Sequence, residues 1–416
     1  MTSDGALPAG AAPAATLIEV RGLRVDYGIG PAAVHAVIDA SLALVGGAVL
    51  GLAGESGSGK STLAYAMTRL LRAPGVITGG QVLLHSSTPA SPPGGGGHSS
   101  APGRTASPPA GTIDLLAADE AQLRQLRWSR IAVVMQSAMN ALNPVITVGA
   151  QLTDVLRAHR QQLDRGGRRQ RAGQLLEMVG ISAGHLGRYP HQLSGGMRQR
   201  VMIAMALALE PAVVIMDEPT TALDVVTQRE IMQEVAGLQR DLGFAVLFIT
   251  HDLSLLAELA DSIAVMYAGR LLEQADAADL YRAPRHPYTL GLLQSFPPLH
   301  GPRKPLTGIP GSPPDLHDPP PGCPFHPRCG FAMDICRAEM PAVLPLGTAG
   351  SRSAACWLQD GAHEVPAELA VPEPAPEPAA GPPPAGPAHA APAGPAAAPP
   401  SPQLAAATPD PARTRP

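Results

Sequence analysis

Four short apolar runs punctuate the chain: "AVLGLAG" (48–54), "IAVVMQ" (131–136), "AVVIMDE" (212–218) and "AVLFITH" (245–251). They are apolar without interruption, so both faces of each strand must be covered, as in a parallel sheet packed between two layers. Stretches with helical spacing, such as "STLAYAMTRLL" (61–71) and "TQREIMQEVAGLQRDL" (227–242), supply the crossovers such a sheet requires. The beginning of the chain follows another pattern. "LIEVRGLRVDY" (17–27) and "AVIDASLAL" (36–44) show the shorter alternation of half-buried strands.

Three segments carry no apolar face at all. Residues 1–15 are rich in Ala, Pro and Gly; residues 86–111, "SSTPASPPGGGGHSSAPGRTASPPAG", interrupt a strand-like "GGQVLLH"; and from 361 onward the chain is largely Pro and Ala. These read as a disordered N-terminus, a low-complexity insert and a disordered tail at 361–416, with folded sequence at 16–300 and 301–360. The 44 glycines and 47 prolines among 416 residues reflect this division. A net charge of −4 gives no electrostatic reason to expect a nucleic-acid partner, and the basic run "RGGRRQR" (165–171) is expected on a solvated helix face. The longest apolar stretch, 201–216, is broken by Glu210 and Pro211, so no membrane span is expected. The start "MTSDGALPAG" lacks the basic and apolar regions of a secretion signal, which favours a cytoplasmic location.

In parallel sheets ligands bind beyond the carboxyl ends of the strands, where Gln136, Asp217, Glu218 and His251 should gather. Beside them "AVLGLAGESGSGKSTLAYAM" reads as strand, glycine-rich loop and helix, and Gly54-x4-Gly59-Lys60-Ser61 fits the phosphate-binding P-loop. Through Gly54, Glu55, Ser56, Gly57, Ser58 and Gly59, successive N–H groups would curl around phosphates. Lys60 would reach the β- and γ-phosphates, Ser61 would ligate Mg²⁺, and Thr62 would bond the α-phosphate. Asp217 is then the second Mg²⁺ candidate and Glu218 the residue that orients or deprotonates water. Gln136 would touch metal or water, and His251 the γ-phosphate.

A second glycine loop lies far from the first. "LSGGMRQR" (193–200) has no acid, histidine or cysteine, yet a serine and two glycines at the start of a helical stretch again offer N–H groups to an anion. With "GESGSGKST", "VVIMDEP", "LSGGMRQR" and "ITHD" in this order, residues 16–300 closely resemble the ATP-binding subunits of ABC transporters. The resemblance implies an α/β P-loop NTPase fold with an N-terminal antiparallel β region, a helical subdomain and a small cysteine-containing C-terminal extension. It also implies two ATPase subunits closing head to tail, with Ser194, Gly195 and Gly196 serving the neighbour's ATP. Tyr27 would stack on adenine and Asp224, in "TALD", would communicate across the dimer. The segment opened by Gln136, "QSAMNALNPVITVGAQL", resembles the permease-facing groove of peptide-importer ATPases, with Ser137 and Ala138 where Asp-Pro is the commoner pair.

All four cysteines come late, as Cys323-x5-Cys329-x6-Cys336-x19-Cys356. In a cytoplasmic setting such a group points to a metal or cluster, although the C-x2-C pairs usual for zinc are missing, and plain thiols remain an alternative. "HPYTLGLLQSFP" and the cysteine region resemble the C-terminal extension of oligopeptide and dipeptide importer ATPases, some of which carry a [4Fe–4S] cluster. The expected role is therefore that of an ATP-hydrolysing subunit for peptide import, peripheral at the cytoplasmic face of the membrane. Its expected partners are a second ATPase subunit, two membrane permeases and an external substrate-binding protein. Nickel import is the rival cargo, and a non-transport ABC ATPase the rival of another class.

Overall fold

A computed structural model describes residues 15–86, 111–136, 141–160, 162–220, 223–295, 308–347 and 352–370. The expectations for residues 1–14, most of the insert, Ser137 and Ala138, and the chain from 371 lie outside the described residues.

An antiparallel sheet forms first, from β1 (Thr16–Tyr27), β2 (Val34–Val45), β4 (Gly75–His85) and β5 (Thr112–Asp114), in the order β2-β1-β4-β5. β4 and β5 pair directly, and the Ser86 N–H donates to the Gly111 carbonyl at 2.9 Å. The insert therefore enters and leaves at one hairpin end, without parting the strands.

The second sheet contains the four expected strands as β3 (Val49–Ala53), β6 (Ile131–Val134), β7 (Val213–Asp217) and β8 (Ala245–Ile249), all parallel. Their apolar continuity has the expected cause. Val214, Met216, Val246 and Phe248 enter a core on one face, while Val213, Ile215, Leu247 and Ile249 enter a core on the other. Complete burial of each such side chain is worth about 1.5–3 kcal/mol, which fixes the register of these central strands. The sheet extends further than the four runs. β9 (Ser262–Tyr267) pairs parallel to β3, then β10 (Arg270–Asp276), β11 (Leu344–Leu346) and β12 (Arg352–Ala354) continue it antiparallel, giving β11-β12-β10-β9-β3-β8-β7-β6.

The helices are α1 (Lys60–Met67), α2 (Glu120–Leu126), α3 (Val148–His159), α4 (Arg165–Met178), α5 (Gly195–Ala206), α6 (Val225–Leu242), α7 (Leu253–Leu259), α8 (Ala277–Arg282), α9 (Pro287–Gln294) and α10 (Asp334–Ala338). α1 packs Leu63, Ala64 and Met67 into the core shared by the two sheets. α3, α4 and α5 fall between β6 and β7 in sequence and form the expected helical part, with the basic run on α4 after its N-cap Asp164. Among the described residues no helix is long and apolar enough to cross a membrane.

Within the C-terminal extension expected at 301–360, β11 and β12 add to the main sheet through β10. The described structure also runs ten residues past the tail boundary at 361, because Leu369 is wholly buried against Cys356 and Leu358.

Candidate nucleotide site

β3 runs straight into the glycine loop. Gly54 has φ 148° and a Cβ there would lie 2.1 Å from the Met266 carbonyl oxygen; at Gly59, φ 104°, it would lie 2.3 Å from that of Ala36. Only glycine fits either position. Lys60 opens α1 and is buried, its Nζ donating to the carbonyls of Gly54 (2.8 Å) and Glu55 (2.7 Å) and to Ser58 Oγ (3.3 Å). Burial lowers its pKa, against the opposing pull of Glu218, Asp217 and Glu55.

Ser61 Oγ donates to Asp217 Oδ1 at 2.9 Å. Asp217 is fully buried, which pushes its carboxyl above the usual range against the opposing pull of the Ser61 and Tyr65 hydroxyls, and among the described residues its Oδ2 makes no hydrogen bond of good geometry. A buried carboxylate oxygen left unmatched beside a hydroxyl suits a hard divalent cation that keeps waters and phosphates as its other ligands. At the next position Glu218 takes φ +43°. Its Oε2 accepts from Gln136 Nε2 at 2.8 Å, and its Oε1 lies 3.3 Å from His251 Nδ1. The three residues that follow β6, β7 and β8 thus meet at one sheet edge.

Tyr27 stands at the end of β1 with its hydroxyl 3.3 Å from Thr62 Oγ1, which places an aromatic ring beside the P-loop. Among the described residues, no hydrogen bond joins Ser194, Gly195 or Gly196 to that loop. Ser194 is the N-cap of α5, accepting from the Met197 N–H at 3.2 Å. A Cβ on Gly196 would lie 2.8 Å from Thr227 Cγ2, so α5 begins against the start of α6. There Asp224 caps α6 through the Thr227 N–H (2.9 Å) and hydroxyl (2.8 Å), bonds that hold its pKa down. The second glycine loop and Asp224 are therefore neighbours through Thr227.

Two residues on the loop were missed at the sequence level. The Tyr288 hydroxyl accepts from the Glu55 N–H at 2.8 Å, and Arg328 forms a two-pronged pair with the Glu55 carboxylate at 2.6 and 2.9 Å. Arg328 is 273 positions away, so no periodicity links the partners; the nearest signal is "HPY" at 286–288, which opens the stretch resembling the importer C-terminal extension. His286 in that motif is wholly buried, its pKa pushed down to about 3, and it accepts from the Tyr288 N–H.

The cysteines do come together. All four are free and line one apolar cavity of about 20 Å³ with His286, Phe325 and Trp357. Burial pushes Cys329 up to about 11 and Cys356 up to about 12. Such a space holds roughly one water, and no group of three or more His, Cys, Asp or Glu among the described residues is placed to hold a metal ion.

A glycine loop joining a parallel strand to a helix, with a carboxylate pair at the next strand but one, defines a P-loop ATPase. The sequence profile described as "ABC transporter" matches residues 37–221, and that described as "Oligopeptide/dipeptide transporter, C-terminal region" matches residues 272–336. The chain is 39% identical over 345 residues to the dipeptide transport ATP-binding protein DppD of Caldanaerobacter subterraneus, covering 83% of this chain and 97% of the relative. It is 41% identical to DppD of Escherichia coli K12, covering 79% and 92%. Among solved structures it resembles the dimeric, post-hydrolysis form of an ATP-binding cassette bound to ADP and phosphate, with TM-score 0.51 and 26% identity over 63% of this chain and 99% of the other. The chain belongs to the ATP-binding subunits of ABC transporters.

Proposed function

We propose that this subunit binds Mg-ATP between its own P-loop and the Ser194 loop of a second ATPase subunit, and that hydrolysis there drives import of di- or oligopeptides. Two membrane permeases and an external binding protein complete the assembly, with this chain at the cytoplasmic face. The observation that carries the reading is the joining of Ser61, Asp217, Glu218, Gln136 and His251 at one sheet edge. The peptide cargo is supported by the C-terminal match and by the relatives that carry it.

When ATP enters, Lys60 exchanges the Gly54 and Glu55 carbonyls for the β- and γ-phosphates, which keeps a buried ammonium paired throughout. Mg²⁺, held by Ser61 Oγ and Asp217, would offset phosphate charge. Glu218 accepts the proton of the attacking water, with Gln136 and His251 fixing the carboxylate on both sides. His251 faces the γ-phosphate from this position. Ser194, Gly195 and Gly196 supply N–H groups from the other subunit, so cleavage and loss of the γ-phosphate loosen the dimer.

The experiment is uptake of labelled di- and oligopeptides against labelled nickel, in cells carrying the native chain or Glu218→Gln. Peptide uptake should vanish only with the variant. Loss of nickel uptake with peptide uptake unchanged would overturn the cargo and leave the ATPase intact.

A finer reading concerns the cysteines: Cys323, Cys329, Cys336 and Cys356 would be the ligands of a [4Fe–4S] cluster serving as a structural staple. Four free thiols are the donor set such a cluster takes, but in the described arrangement they are not placed to hold a metal ion, so they would have to rearrange around it. Protein purified without oxygen should be brown and hold about four irons per chain. Colourless, iron-free protein would leave plain thiols.

A further inference from the structure

Glu55 is an odd residue for a loop that must hold a triphosphate, because its carboxylate adds a negative charge where a polyanion binds. Both of its polar ends are already committed. Its N–H goes to the Tyr288 hydroxyl, and its carboxylate to the Arg328 guanidinium, whose side chain is only 6% exposed. Arg328 is itself fixed, donating from Nε to the Pro310 carbonyl at 2.8 Å and lying 3.3 Å from the Tyr267 hydroxyl. Behind it the rings of Tyr267, Tyr288 and Phe325 pack with centroids 4.5 to 5.4 Å apart. Phe325 also lines the cysteine cavity. This strut runs from the C-terminal extension to the second residue of the P-loop and ends in a neutralising charge.

We infer that Arg328 is a positioning residue for ATP: through its two-pronged pair with Glu55, and with Tyr288 holding the Glu55 N–H, the C-terminal extension shapes and neutralises the P-loop. The inference rests on the nucleotide reading above. It makes Glu55 an anchor for the extension and not a phosphate contact. The extension thereby tunes ATP affinity in the first place, since the described bonds of Arg328 run to Glu55, to the Pro310 carbonyl and to the Tyr267 hydroxyl.

The test measures Mg-ATP affinity, turnover at saturating ATP and nucleotide-free melting for the native chain, Arg328→Gln, and Arg328→Gln combined with Glu55→Gln. Arg328→Gln should raise the Kd for ATP about tenfold with turnover within about twofold, because it leaves Glu55 unpaired beside the phosphates. Adding Glu55→Gln should recover part of that affinity, since it removes the stranded charge. Arg328→Lys should also recover part, keeping the charge but losing the two-pronged geometry. A lower melting temperature with native ATP affinity would make the pair merely structural and overturn the inference. So would a double variant that binds worse than Arg328→Gln alone, which would put Glu55 on the nucleotide itself. If the native chain and Lys60→Ala bind ATP equally poorly, the nucleotide reading fails instead.

Discussion

The two glycine loops use the same device, N–H groups at the start of a helix, in opposite states of completion. At the P-loop the N-cap is Gly59, which offers no side-chain cap, so the first N–H groups of α1 are left for a ligand. The loop around them exposes Ser56 and Gly57 at its tip, while its base is crossed by the buried Lys60 and held from outside by Tyr288 and Arg328. At the second loop Ser194 is exposed and caps its own helix through Met197. It brings no carboxylate or histidine; Arg198 and Arg200 further along α5 turn to the Leu193 and Val179 carbonyls and to Glu234, and Gly196 lies against Thr227 at the start of α6. A helix start alone therefore does not make a site. The surrounding charges decide, and under the proposed head-to-tail pairing the second loop would meet them on another chain.

The comparison breaks most severely at Lys60. Lys60→Ala removes the ammonium that both neutralises the loop carbonyls and is to meet the phosphates, so ATP affinity should fall by about a hundredfold or more. Titration with labelled ATP checks this. Affinity within about threefold of native would show that the backbone N–H groups alone hold the phosphates.

Much of this contrast was legible in the sequence. The four apolar runs mark β3, β6, β7 and β8 because burial on both faces leaves no alternation, and the polar residues closing the last three, Gln136, Glu218 and His251, meet at one edge. β9 carries no catalytic residue at its end and turns through Ala268 and Gly269, both at positive φ, into β10. It was passed over although five of its six residues are buried. "LPL" and "RSA" are too short and too mixed in character to announce strands; "RSA" becomes one by pairing with β10, and "LPL" by pairing with "RSA" in turn. Glu55 and Arg328 meet only through the tertiary fold, which no local pattern encodes.

The second loop can be broken without harming its helix. Ser194→Asp keeps an N-cap of equal quality, so melting and ATP binding at the chain's own P-loop should be unchanged. The new carboxylate, however, would face the neighbour's γ-phosphate. Turnover of the assembled transporter should drop by about a hundredfold, a loss of nearly 3 kcal/mol of transition-state stabilisation. ATPase assays beside monomer binding separate the two effects. Unchanged turnover would show that Ser194 does not approach the triphosphate and would remove the reason for a head-to-tail dimer.

The smallest effect should come from Tyr27, which sharpens the comparison because it belongs to the P-loop side alone. Its hydroxyl lies near Thr62, but the work assigned to it is done by the ring. Tyr27→Phe should leave ATP affinity within about twofold, whereas Tyr27→Ala should weaken it about two- to tenfold, the worth of one aromatic contact. Stacking accepts any base, so ATP and GTP should lose affinity equally. Competition binding of the two nucleotides reads this directly. If Tyr27→Phe proves as harmful as Tyr27→Ala, the hydroxyl and its Thr62 contact hold the site, and the ring packs without touching adenine.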